Sequence, residues 1–307
     1  MRIAGVLFGP PGQGSFNESG MRAFESLRAE GAALDLHWIA ERDPAGRADA
    51  LARLCEAGLD LLVAHGGQGD APVGTIAARF PEMRFAISQG SVQAPNVACY
   101  DVLQEHSALL AGVLAASLTK TGIVAHMSGD RVKPGLKGRA AYVQGVALGD
   151  PGVRVLTGFC GNQHDPDLAG RCVDALAAAG ADMLFAMIDG GRPGAIAACR
   201  RHGIAQIGNV LDWTAREPDV FIASALADSG WGIRRAVRDF QGGRLPCGTV
   251  TMVGLEEPDV VSLKLADRVP AAARERVDAF RQRLLAGGID VVSVYEGPEY
   301  PLPQTTS

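Results

Sequence analysis

The chain has 307 residues, about twice an ordinary domain, and with 47% hydrophobic residues it can fill two cores. A net charge of −5 without any basic tract or basic–aromatic stripe argues against a nucleic-acid partner, and no apolar run approaches a membrane span. Six scattered cysteines (Cys55, Cys99, Cys160, Cys172, Cys199 and Cys247) show no CxxC pair and no histidine at ligand spacing, which argues against zinc and for buried thiols in a reducing compartment.

The first strand begins within a residue or two of Met1, with no charged region, apolar region or lipobox ahead of it. The location expected is cytoplasmic if Met1 is the true start, and periplasmic or cell-membrane associated if an export signal has been removed. Strands are expected at 2–8, 33–39, 59–65, 83–88 and 96–100, alternating with helices at 16–30, 45–57, 71–79 and 103–118. The pattern restarts at Thr121-Gly122, with strands 122–127, 153–159, 183–188 and 204–210 and helices 137–149, 166–179 and 192–202. Next come an apolar strand at 220–226, a helix at 228–241, short strands at 249–256 and 260–265, a helix at 270–286 and a last strand at 289–294. This is α/β architecture: two Rossmann-like lobes with parallel sheets, organised like a type I periplasmic-binding-protein bilobe with the ligand cleft at the hinge. The N-terminal lobe is expected to hold 1–102 plus about 224–258, and the C-terminal lobe 103–223 plus about 259–307.

Ligands of open α/β sheets sit at the carboxyl ends of strands, so the loops there matter most. After the first strand, Gly9-Pro10-Pro11-Gly12-Gln13-Gly14 leads into Ser15-Phe16-Asn17. Phe16 either stacks on a flat ligand or staples the first helix to its own lobe. The third strand runs through His65 into Gly66-Gly67-Gln68-Gly69-Asp70, which fits neither a dinucleotide fingerprint nor a P-loop. Gln68 is a candidate for a heterocycle edge or an ordinary loop residue, and His65 reads as a satisfied strand-end histidine. Asp101, following strand 96–100, and Glu105, one turn on, either cap helix 103–118 or accept from ring N–H groups. In the second lobe Asp189, before Gly190-Gly191-Arg192-Pro193, is a ligand acceptor or a cap for helix 192–202. Asp212 and Trp213 combine hydrogen bonding with a stacking face, or start a turn. Histidines His126, His164 and His202 are isolated, no GxSxG or HExxH occurs, and the cleft loops carry arginine only at Arg131 and Arg192. The expectation is no catalytic residue, no metal and no cofactor. Glycines, carboxylates, amides and aromatics suit an uncharged, planar, hydrogen-bonding small molecule.

Several stretches resemble the basic membrane protein family, the purine nucleoside receptor A-like substrate-binding proteins of ABC transporters. Gly14-Ser15-Phe16-Asn17-Glu18-Ser19 is similar to its D-x-S-F-N start. Glu105-His106-Ser107-Ala108-Leu109-Leu110-Ala111-Gly112, with Ala115-Ala116 and Thr119-Lys120-Thr121-Gly122, resembles E-x-G-x-F-L-A-G … A-A … T-K-T-G. Ala141-Tyr142-Val143-Gln144-Gly145 resembles G-F-x-x-G, Gly180-Ala181-Asp182 resembles G-A-D, and Ile207-Gly208 through Asp212 resembles I-G-V-D-x-D. The resemblance implies a bilobal fold, no catalysis, capture of a purine nucleoside or relative, and an ABC permease as partner, with neither nucleic-acid binding nor membrane insertion. It implies an aromatic at Phe16 stacked on the purine, an acid at Asp101 or Glu105 bonding the base, and Asp212 reaching the sugar. The expected ligand set is therefore Ser15, Phe16, Asn17, Gln68, Asp101, Glu105, Asp189, Asp212 and Trp213. Two departures matter. The acidic stretch before S-F-N is replaced by Gly9 to Gly14, and the lysine of the family's T-S-x-x-K falls on Ala227. Both favour a free nucleobase over a nucleoside, with Trp213 in the sugar's space. A cytosolic ligand sensor on the same fold is the competing expectation.

Overall fold

In the computed structural model residues 1–9, 11 and 15–304 are described. The chain forms two compact units, Met1–Val102 with Asp228–Val253 and Leu103–Ala227 with Gly254–Ser307, passing between them three times. In chain order the first unit opens with β1 (Ile3–Phe8), α1 (Ser15–Ala29), β2 (Leu34–Ile39), α2 (Pro44–Glu56), β3 (Leu61–His65), α3 (Asp70–Ile76), β4 (Arg84–Ser88) and β5 (Val97–Val102). The second unit follows with α4 (Gln104–Leu118), β6 (Ile123–Ser128), α5 (Lys133–Gly149), β7 (Arg154–Phe159), α6 (Pro166–Ala178), β8 (Met183–Met187), α7 (Arg192–His202), β9 (Ala205–Val210) and β10 (Phe221–Ala227). Helix α8 (Trp231–Gln241) and β11 (Val250–Val253) return to the first unit, and β12 (Val261–Leu265) and α9 (Ala271–Leu285) to the second.

The first sheet has the order β11-β5-β4-β3-β1-β2, all parallel. Its inner strands β1, β3, β4 and β5 are buried at nearly every position because both faces are covered. Alternate residues feed two cores. Val6, Phe8, Leu62 and Ala64 meet α2 and α3 through Leu51, Ala52, Val73 and Ile76. Leu7, Leu61 and Val63 meet α1 and α8 through Phe24, Leu27, Ile233 and Val237.

The second sheet has the order β12-β10-β9-β8-β6-β7, parallel except for the antiparallel edge strand β12. Helices α6 and α7 cover one face through Leu168, Cys172, Val173, Ala195 and Ala198. Helix α4 is apolar around its whole circumference, so it is enclosed rather than amphipathic, and it packs on α5, α9, β10 and β12. Its contact with α5 is backbone to backbone. A Cβ on Gly112 would lie 2.2 Å from the Tyr142 carbonyl oxygen, and one on Gly145 2.0 Å from that of Leu109.

Three expectations need correction. Helix α5 begins at Lys133, four residues before the expected start, because Pro134 in its first turn presets the helical φ. The strand expected to end at 100 continues to Val102, so Asp101 lies inside β5 instead of after it. Residues 289–294 form no strand. Their backbone is held by the side chain of Gln144, which donates to the Asp290 carbonyl and accepts from the Val292 amide, and Val294 is exposed. The following segment lies along β7, where the Tyr300 amide donates to the Thr157 carbonyl and Leu302 is buried.

Candidate ligand-binding site

In a doubly wound sheet the crevice forms where successive connections leave a strand pair in opposite directions. In the first sheet that point lies between β1 and β3, since β2 is outside β1 and β4 continues on the other side. In the second it lies between β6 and β8 by the same reasoning. The loops after β1 and β3 are the candidate ligand loops of the first unit, and those after β6 and β8 the candidate ligand loops of the second.

At β1/β3 the sequence candidates cluster. Phe16 sits in the first turn of α1 and stacks on His65 at the end of β3, with ring centroids 4.3 Å apart and planes 16° from parallel. The His65 Nε2–H donates to the Phe16 carbonyl at 3.1 Å, since that oxygen can only accept. The other nitrogen, Nδ1, therefore accepts from the Ser88 hydroxyl at 2.7 Å, and Ser88 Oγ accepts from the Gly66 amide at 3.1 Å. Gly20 lets the helix approach, because a Cβ there would fall 2.4 Å from the imidazole. Burial pulls the His65 pKa down to about 4, although the Phe16 carbonyl and Asp228 oppose it. His65 is thus a neutral, fully bonded ring that fixes both the carbonyl and the plane of Phe16. Asn17 donates from Nδ2 to the Phe8 carbonyl at 3.0 Å, tying α1 to the end of β1. Gln68 lies exposed in a short 3-10 turn, Gly67–Gly69. Ser15 begins α1. Of the preceding loop, Pro10 and Gly12 to Gly14 lie outside the described residues. Asp101 is 6% exposed within β5, and the N-cap position of α4 is Leu103, so Asp101 does not cap it. Just past β4, Gln89 takes φ +57° while buried. A left-handed non-glycine residue is uncommon, and such outliers gather at functional sites.

The second unit repeats the arrangement with different chemistry. Glu105, also 6% exposed, pairs with Lys137 of α5 through Oε1, and its Oε2 has no hydrogen-bond partner. Asp189 follows β8, its amide donating to the Gln163 carbonyl and its carbonyl accepting from Arg192. Gly191, not Asp189, is the N-cap residue of α7. Asp212 has both carboxylate oxygens engaged by its own unit: Oδ1 accepts from the Thr214 amide and hydroxyl, and Oδ2 from Lys264 Nζ at 2.6 Å. Trp213 packs on Gly208, where a Cβ would meet the indole at 2.4 Å, and its Nε1–H donates to the Asn209 carbonyl. Guanidinium groups of Arg192 and Arg216 lie 4.4 and 5.1 Å from its ring centre. Of the two arginines noted in the sequence, Arg131 is paired with Glu299, whereas Arg192 is enclosed. Among the described residues no three His, Cys, Asp or Glu form a metal cluster, and no helix is long and apolar enough to cross a membrane.

Sequence reasoning noted Arg192 only as a cleft-loop arginine, and it gave no ligand role to Arg192, Asn209 or Val210. Arginine is seldom buried, so composition places it in solvent. Val210 ends β9 with φ +66°, a conformation a β-branched residue avoids and no sequence pattern announces.

The model of the Bmp family, described as ABC transporter substrate-binding protein PnrA-like, matches residues 4–293. The chain belongs to this family. A purine-binding protein of Brucella abortus (strain 2308) is 23% identical over 236 residues, 76% of this chain and 66% of that protein. Transcriptional activator protein med of Bacillus subtilis (strain 168) is also 23% identical, over 191 residues, 62% of this chain and 59% of that protein. The chain thus spans about three fifths to two thirds of these relatives. A solved ABC-transporter solute-binding protein from Aeropyrum pernix K1 superposes with a TM-score of 0.82 at 19% identity, covering 95% of this chain and 93% of that one. That likeness concerns the fold alone.

Proposed function

We propose that this chain is a solute-binding protein that captures a purine-type ligand, the free nucleobase in preference to the nucleoside, for uptake by an ABC importer. No catalytic step is involved, and work with an importer places the protein outside the cytoplasmic membrane. The observation that carries the reading is Phe16 at the β1/β3 switch point, with one ring face and its carbonyl held by His65. Phe16 is half-buried, and a ring whose plane is fixed in advance suits stacking on a flat heterocycle. Base–aromatic stacking contributes about 1–3 kcal/mol by alanine substitution. Phe16→Ala is therefore expected to weaken purine binding by roughly 5- to 150-fold in calorimetric titration. An unchanged Kd would remove Phe16 from the site.

The preference for a base rests on Asp212 and Ala227. The carboxylate that would reach a sugar is engaged by Lys264, Thr214 and Ala215, and the position of the family lysine is a buried alanine. Hypoxanthine is expected to bind more tightly than inosine when the two are titrated side by side. The reverse order would sink this preference while leaving purine capture in place.

The similarity to transcriptional activator med favours one further reading, a ligand sensor on the same fold. Deleting the gene and following uptake of radiolabelled hypoxanthine separates the two. Reduced uptake supports transport, and undiminished uptake with altered transcription supports the sensor.

A further inference from the structure

We infer that Arg192 reads an oxygen acceptor on the ligand and so selects 6-oxopurines over adenine. This rests on the purine reading above and adds to it which purines are taken. Arg192 opens α7, immediately beyond the carboxyl end of β8 at the β6/β8 switch point. It is 2% exposed, yet only one of its three nitrogens is used. Nη2 donates to the Ile188 carbonyl and to Asn209 Oδ1, whereas Nε and Nη1 meet no protein acceptor. Buried donors are paired in nearly all proteins, and an unpaired one is destabilising, more so when it carries charge. Trp213 covers one face of the guanidinium at 4.4 Å and fixes its plane. Burial lowers its pKa to about 10, with Asp189 opposing that shift and Arg216 adding to it, so the group is a cation at neutral pH. Beside Asn209, Val210 holds φ +66°. Strain of that kind next to a buried, half-used cation marks a place shaped for something other than stability.

The chemistry of the group sets the class of ligand. A guanidinium only donates. A 6-oxopurine presents two acceptors, O6 and N7, on one edge, where adenine presents N7 beside an amino donor. Against Arg192 the adenine amino group would set donor against donor. A hydrogen bond to a charged group is worth enough to separate the two bases by about 10- to 100-fold.

The test is calorimetric titration of hypoxanthine, adenine and unsubstituted purine into the wild-type protein, Arg192→Met and Arg192→Lys, with circular dichroism to establish folding. The wild type is expected to bind hypoxanthine at least tenfold more tightly than adenine or purine. Arg192→Met should bring the three within about threefold by weakening hypoxanthine alone, with Arg192→Lys in between, as a point charge without the planar fork. If wild-type affinities for hypoxanthine and adenine agree within threefold, or if Arg192→Met weakens both equally, Arg192 is structural and the inference falls while purine capture stands. If no purine binds the wild type, the purine reading falls and takes the inference with it. Should Arg192→Met fail to fold, the wild-type ratio and Arg192→Lys decide.

Discussion

Gly145→Ala is expected to destabilise the second unit by at least about 3 kcal/mol, near the upper end for overpacking substitutions. The added methyl would fall 2.0 Å from the Leu109 carbonyl oxygen and 2.8 Å from its carbon. These are backbone atoms inside a helix, so no side chain can rotate away. Helices α4 and α5 would have to separate along their length, breaking the reciprocal contact in which Gly112 faces the Tyr142 carbonyl at 2.2 Å. Further along, Gly149 sits against Ala116, where a Cβ would approach to 2.9 Å. At roughly 2–4 °C per kcal/mol for a unit of this size, the melting transition should drop by about 10 °C. Gly74→Ala is the matched control. It lies within α3, and its new methyl would find only Val92, at 3.9 Å. That substitution should be neutral or stabilise by about 0.5–1 kcal/mol through helix propensity and a less flexible unfolded chain. A Gly145→Ala protein melting within a degree of wild type would mean that the two helices do not touch through their backbones.

The same contact explains why the family was legible in the sequence while much of the site was not. Four of the stretches that carry the resemblance hold the fold. Gly112 and Gly145 belong to two of them and make one helix crossing. Thr119-Lys120-Thr121-Gly122 and Gly180-Ala181-Asp182 belong to two more and meet each other. The Asp182 carboxylate accepts from the Thr119 hydroxyl at 2.6 Å and from the Lys120 and Thr121 amides, closing the turn that leads into β6. Such contacts need particular residues whatever the ligand is. Periodicity found the strands for a related reason: both sheet faces are covered, so the strands read as apolar runs. It failed at Asp101, where a buried carboxylate interrupts the apolar run and looks like its end. For Phe16, stapling and stacking were set against each other in the sequence. The geometry has the ring packed against His65, a contact that both fastens α1 and orients the ring. Arg192 was hidden because only the fold reveals that it is enclosed.

Two buried histidines should make the protein acid-labile well above the range of its carboxylates. His126, at the centre of the second unit, is fully buried, bonded to the Thr157 and Ser128 hydroxyls at 2.9 Å each and surrounded by Tyr142, Phe159 and Phe185. Burial, and after it the charge of Arg139, lowers its pKa to about 3, against an opposing effect of Glu299. The hydroxyls could accept from an imidazolium, but the aromatic cage cannot solvate its charge. His65 stands at about 4 in the first unit, again chiefly through burial. Protonation there would also turn Nδ1 into a donor facing Ser88 Oγ, which already accepts from the Gly66 amide. Both rings are neutral in the folded state, while in the unfolded chain they titrate near 6.5. The unfolded state therefore binds more protons between pH 6.5 and each folded pKa. Stability is complete above pH 6.5 and is lost as the pH falls toward 4 and then 3. Each ring contributes a slope of about 1.4 kcal/mol per pH unit in that window, so moving from pH 8 to pH 5 should remove roughly 4 kcal/mol. His106, shifted downward by burial, adds in the same direction. Glu299, held below the ordinary carboxylate range by its bond to Arg131, titrates too low to share the effect. Urea unfolding at pH 8, 6.5, 5.5 and 5 measures the slope, and His126→Gln should roughly halve it whatever its effect on stability at pH 8. A stability that stays level from pH 6.5 to 5 would mean that both imidazoles take up protons without unfolding their units.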